Sequence, residues 1–128
     1  MTSELMSLIW VTALTAIIWM PYILNLIAVR GLMDAVGYPE EPKPLSGWAA
    51  KMKAAHANAV ENLVVFAALV LIANVANVSN ETTVLACQIF FWARLVHLLS
   101  YTFAIPWVRT LAFVAGFGCQ VAIILQLI

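Results

Sequence analysis

Four long apolar runs dominate this chain, roughly Leu5 to Val29, Leu63 to Val78, Thr83 to Ala104 and Trp107 to Ile128. A helix needs about 20 apolar residues, at 1.5 Å of rise each, to cross the hydrocarbon core of a bilayer. Three of the runs meet that length directly. The second is shorter, but a helical pattern free of Gly and Pro reaches back from it to Trp48, giving about 30 helical residues. The N-terminal half of that stretch, Lys51 to Asn62, is too polar for lipid alone to surround, so it projects into water or is wrapped by protein. Of the 128 residues, 65% are hydrophobic and 9% charged, against roughly 45–50% and 25% in soluble domains. The expected fold is all-α, an integral membrane four-helix bundle forming one domain over residues 1–128.

The connections agree with this division. The first run lacks a basic leading segment, carries Glu4 and is too long for a secretory signal, so it reads as a retained helix, kinked at Pro21. Glu4 itself falls outside the expected span. The segment from Gly37 to Gly47, GYPEEPKPLSG, reads as a loop, with Ser46 as a candidate N-cap for the second helix. A tight turn at Val78 to Glu81 joins helices two and three, with Ser79 or Asn80 capping the third. Pro106 separates helices three and four and suits a first helical position.

Charge narrows the partners. Six Lys and Arg against six Asp and Glu leave no basic surface for a phosphate backbone, which argues against nucleic acid. Cys87 and Cys119 lie inside apolar runs and read as small buried hydrophobes rather than a disulfide. Arg30, Lys43, Lys51, Lys53 and Arg109 all sit on or near the first and third connections. The positive-inside rule places those connections in the cytoplasm and both termini on the opposite, non-cytoplasmic side, with Tyr38, Trp48 and Trp107 at the cytoplasmic interface.

Polar groups within spans are expensive and are candidate functional groups. At about 100° per residue, Arg94, His97 and Tyr101 fall within about 60° of one another on the third helix. Lys51, Asn58, Glu61 and Asn62 share an arc of about 100° on the second, with Lys53 and His56 on its outer face. Counting from Ser79, Glu61 lies 18 residues back and His97 18 forward, while Asn58 is 21 back and Tyr101 22 forward. In an antiparallel hairpin these pairs share levels about 27 and 32 Å from the turn. Arg30 and Arg109 approach the same end. Such a cavity favours an anionic ligand, since guanidinium forks hold carboxylates, and Glu61 could accept from a ligand amine. Tyr101, Arg109 and Thr110 could donate to a thiolate, as cationic neighbours lower thiol pKa values. The simpler alternative is an Arg94–Glu61 ion pair that locks two helices, with His97 a satisfied interior histidine. Gln88 and Gln120 read as hydrogen bonds between helices.

Ala55-His56-Ala57-Asn58-Ala59-Val60-Glu61-Asn62, then Arg94-x-x-His97-x-x-x-Tyr101, then Pro106-Trp107-Val108-Arg109-Thr110 stand in this order. Together they resemble the motifs of the membrane-associated proteins in eicosanoid and glutathione metabolism (MAPEG), a superfamily that includes the microsomal glutathione transferases. The resemblance spans nearly the whole chain. It implies a homotrimer that takes glutathione as co-substrate between subunits near the cytoplasmic face, and a hydrophobic small molecule or lipid from the bilayer. By position, Arg30, Asn58, Glu61, His97, Tyr101 and Arg109 become glutathione ligands. Arg109, with Thr110, becomes the pair that stabilises the thiolate. Arg94 becomes a structural or ligand-facing charge, and Lys51 partly replaces an arginine that many members carry where this chain has Ala54. Phe113 stands where some members have a hydroxyl-bearing aromatic residue. The expected activity is transfer to, or reduction of, lipophilic electrophiles. The alternatives are a non-catalytic lipid-binding or scaffold member, and a small multidrug transporter, a class that depends on a deep acidic residue in its first helix.

Overall fold

A computed structural model describes every residue, Met1–Ile128. It contains α1 (Ser3–Ile17), α2 (Trp19–Arg30), α3 (Leu32–Val36), α4 (Gly47–Val75), α5 (Glu81–Thr102) and α6 (Pro106–Leu127), and no strands. With α1 and α2 taken as one interrupted rod, four helices are long and apolar enough to cross a membrane. The interruption follows from Pro21. It has no N–H to donate to the carbonyl of Ile17, the residue at which α1 ends, and its ring crowds that carbonyl. The short α3 was not expected; it occupies the start of the first connection, between Gly31 at φ 78° and Gly37.

Helix starts are set by local chemistry. Thr2 Oγ1 accepts from the Leu5 N–H at 3.2 Å and caps α1. Asn80 caps α5 in a reciprocal arrangement, with its Oδ1 accepting from Thr83 N–H and its own N–H donating to Thr83 Oγ1. Pro106 opens α6, where the missing N–H is of no consequence.

The four rods pack around α5. Along its apolar stretch 44% of residues are buried, against 17% along that of α4, so α4 keeps a wide face free of contacts within the chain. Phe66 of α4 and Phe90 of α5, equidistant in sequence from Val78, stack with centroids 4.0 Å apart and planes 9° from parallel. They set the register of the antiparallel α4–α5 hairpin. Val11, Val70, Cys87, Cys119 and Ile123 surround them. A second cluster, Ile18, Tyr22, Ala49, Ala55 and Leu98, fills the other half of the bundle. Both cysteines are free and buried, as expected.

Both chain ends lie beside the α4–α5 turn. Thr83 Oγ1 donates to Glu4 Oε1 at 2.6 Å, and Asn80 Nδ2 donates to Gln126 Oε1 at 2.9 Å. Glu4, in the first turn of α1, is therefore held against the α4–α5 turn. It is only 4% exposed, because hydroxyls of the turn and of α5 enclose it.

The opposite end closes differently. Ala104 adopts φ 58°, which lets Ile105 N–H reach the Ser100 carbonyl at 2.8 Å and end α5 before Pro106. A side chain in this left-handed region is strained by about 1 kcal/mol. Ala104→Gly is expected to stabilise the protein by up to about that amount, offset in part by the entropy of the unfolded glycine. The check is thermal unfolding in detergent.

Candidate functional site

The polar side chains gather where α4, α5 and α6 meet below the Phe66–Phe90 stack. Arg94 is 4% exposed. Its Nη2 donates to Asn58 Oδ1 at 2.6 Å and lies 3.4 Å from His97 Nδ1. A guanidinium only donates, so His97 Nδ1 accepts and its N–H sits on Nε2. Asn58 is held in turn by Asn62, whose Nδ2 donates to the Asn58 carbonyl at 3.0 Å. Gln120 of α6 donates to the Asn62 carbonyl at 3.4 Å, the interhelical role expected of it. One guanidinium donor, Arg94 Nε, is buried and has no acceptor.

Towards the bundle end, the His97 and Tyr101 rings meet edge to face at 5.7 Å. The Arg109 guanidinium stacks over the Tyr101 ring at 4.9 Å. That cation–π contact orients an exposed arginine without neutralising it. Beside it lies a cleft of about 360 Å³, whose polar wall is Lys51, Ser100, Tyr101 and Arg109. Ala104, Ile105 and Pro106 supply the rest. No carboxylate lines it, so two free cations face one cavity. A larger cleft of about 560 Å³ between α1 and α5, near Trp10 and Trp92, has no ionisable lining residue and offers nothing to hold an anion.

The structure thus brings Asn58, Arg94 and His97 into one hydrogen-bonded set, and Lys51, Tyr101 and Arg109 into one cleft. Other residues singled out in the sequence lie apart from these two sets. Glu61 does not pair with Arg94; it is exposed on α4, and the neutral Asn58 takes the guanidinium instead. Asn58 and Glu61 lie about 60° apart on the same polar arc, and it is Asn58 that reaches Arg94 of α5. Thr110 is exposed, and its hydroxyl donates to the Pro106 carbonyl one turn back at 3.1 Å. Arg30 does not join the cluster within one chain; its Nε donates to the Lys43 carbonyl at 2.7 Å and ties down the first connection. His56, on the outer face of α4, is half-buried, and its Nδ1 shares a 2.8 Å hydrogen bond with the Tyr22 hydroxyl of α2. Gln88 makes no hydrogen bond to another helix and is exposed. Ser46 precedes α4 without capping it; its N–H donates to Asn25 Oδ1 at 3.0 Å and its hydroxyl accepts from Asn25 Nδ2 at 2.9 Å.

The Asn25–Ser46 and Tyr22–His56 contacts were not anticipated. The available signal was two polar side chains, Tyr22 and Asn25, close together within an otherwise apolar rod.

Fold and polar cluster together describe a four-span helical membrane protein with a cationic cleft at one end. The model of the MAPEG family matches residues 8–128, and the chain belongs to that family. No curated protein and no solved structure gave a match. Membership, with the four spans, supports an integral membrane location and a glutathione-related, transferase-like or related function.

Proposed function

We propose that this chain is a glutathione-dependent transferase or peroxidase acting on lipophilic electrophiles, with residues 1–128 working as one unit. The observation that carries the reading is the cleft that gathers Lys51 and Arg109 without any carboxylate. Glutathione has two carboxylates and one thiol. Lys51 is suited to one of its carboxylates, and Arg109, fixed over Tyr101, to its sulfur. A cation beside the sulfur favours thiolate, the nucleophilic form. With an aryl chloride, the thiolate attacks the ring carbon, a C–S bond forms and chloride leaves with the C–Cl electron pair. The thiol proton passes to water. Placing this cleft within a bilayer gives apolar electrophiles direct access from lipid.

A single chain leaves the reading incomplete, which supports an oligomer. Glu61 is exposed on a helix of spanning length and has no partner within the chain, a poor arrangement against hydrocarbon. A second copy packed on the open face of α4 gives Glu61 a polar neighbour and places it to accept from the ligand amine, with Arg30 supplied across the interface. A homotrimer is the assembly that the family implies. The excess of Lys and Arg at the cleft end orients that end to the cytoplasm.

The test uses purified protein, glutathione and a chlorodinitrobenzene-type electrophile. Conjugation is expected, together with glutathione binding at millimolar concentration or below. Absence of both removes the proposal. Binding without turnover favours the non-catalytic reading, which Phe113 and the self-bonded Thr110 hydroxyl support.

A further inference from the structure

The geometry points to a second ligand site at the opposite end of the bundle, a pocket for a small monovalent cation held by Glu4. Glu4 is the one buried carboxylate in the chain, 4% exposed. Its Oε1 accepts from Ser79 Oγ at 2.8 Å and Thr83 Oγ1 at 2.6 Å. Two hydroxyl donors on one oxygen favour the ionised form. Its Oε2 is buried and has no partner.

No basic side chain can neutralise it. Arg30, Lys43, Lys51, Lys53 and Arg109 lie at the opposite end of the bundle and Arg94 in the buried cluster, and the Met1 residue, which carries the terminal ammonium, is 86% exposed. A buried carboxylate without a counter-charge is strongly disfavoured. Glu4 does line a cavity of about 150 Å³, whose wall also includes the oxygen-bearing residues Thr2, Asn74, Asn77 and Ser79.

Size and charge select the occupant. At about 30 Å³ per water, the cavity holds a few water-sized groups and is too small for a drug-sized ligand of about 300 Å³ or more. One carboxylate among neutral oxygens balances a single positive charge. Calcium sites gather six to eight oxygens, several of them carboxylate, and no group of three metal-binding side chains exists in this chain. The shared chemistry is therefore that of an alkali-metal ion or a primary ammonium group, the latter free or on an ethanolamine lipid headgroup.

The experiment measures thermal unfolding of the full-length protein at constant ionic strength. Sodium, potassium and ethanolamine chlorides are compared with N-methylglucamine chloride, whose cation is too large for the cavity. A second arm compares bilayers of phosphatidylcholine with and without phosphatidylethanolamine. A specific cation is expected to raise Tm by about 3 °C or more over N-methylglucamine, and Glu4→Gln to abolish the gain. Alkali chlorides alone giving the gain identifies a metal ion; ethanolamine or its lipid giving it identifies an ammonium group. Asn74→Ala, which removes an exposed cavity oxygen that does not bond Glu4, is expected to lose at least half the gain and decides the matter if Glu4→Gln does not fold. Equal Tm in every salt and lipid overturns the proposal, as does a full gain retained in either folded variant.

Discussion

Replacing Arg109 by alanine is expected to lower kcat/KM for conjugation by about 10²-fold or more, the usual loss when a charge-stabilising donor is removed from a reacting centre. Arg109 is exposed and touches the bundle through the Tyr101 ring, so its removal opens no cavity. Size-exclusion and thermal unfolding profiles should match those of the parent. Arg109→Lys separates charge from geometry. A lysine keeps the positive charge but lacks the planar fork and its stacking on Tyr101. Recovery of part of the rate, with a raised KM for glutathione, is the expected pattern. Unchanged turnover in Arg109→Ala would place thiolate activation elsewhere.

The second large effect is on stability. Asn58→Leu removes the acceptor of the 2.6 Å hydrogen bond from Arg94 and leaves that guanidinium buried with only the longer contact to His97. Losing a hydrogen bond to a buried charge costs about 1.5–3 kcal/mol, with more lost when the charge is left uncompensated. A drop in Tm of several degrees follows for a chain of this size. The double variant Asn58→Leu/Arg94→Met should recover much of it, since no unpaired charge remains in the interior. A double variant no more stable than Asn58→Leu would mean that Arg94 is held mainly by packing of its stem.

Much of the architecture is legible in the sequence because hydropathy and proline placement act locally. The apolar runs mark the spans, Pro21 marks the interruption that ends α1 at Ile17, and Pro106 marks the start of α6. The motif residues also identify the family. What the periodicity does not resolve is which edge of a polar arc faces the neighbouring helix. An arc of about 100° on α4 is wider than the strip that α5 can cover. Asn58 and Glu61 thus look equivalent in sequence, while only Asn58 reaches Arg94. Counting from Ser79 also places the hairpin centre one residue late; the Phe66–Phe90 stack centres it on Val78. Glu4 is illegible for a different reason. Its partners, Ser79 and Thr83, lie far along the chain, and nothing near Glu4 announces a buried carboxylate.

The Phe66–Phe90 stack separates two polar regions, the Glu4 end and the Arg94 end. Both rings are 0% exposed, and Val70 and Ile123 beside them are each 1% exposed. A file of water linking the two regions would have to pass through this close-packed layer of mostly hydrocarbon side chains. The layer acts as electrical insulation. The ionisable groups at the two ends of the bundle are thereby kept electrically apart.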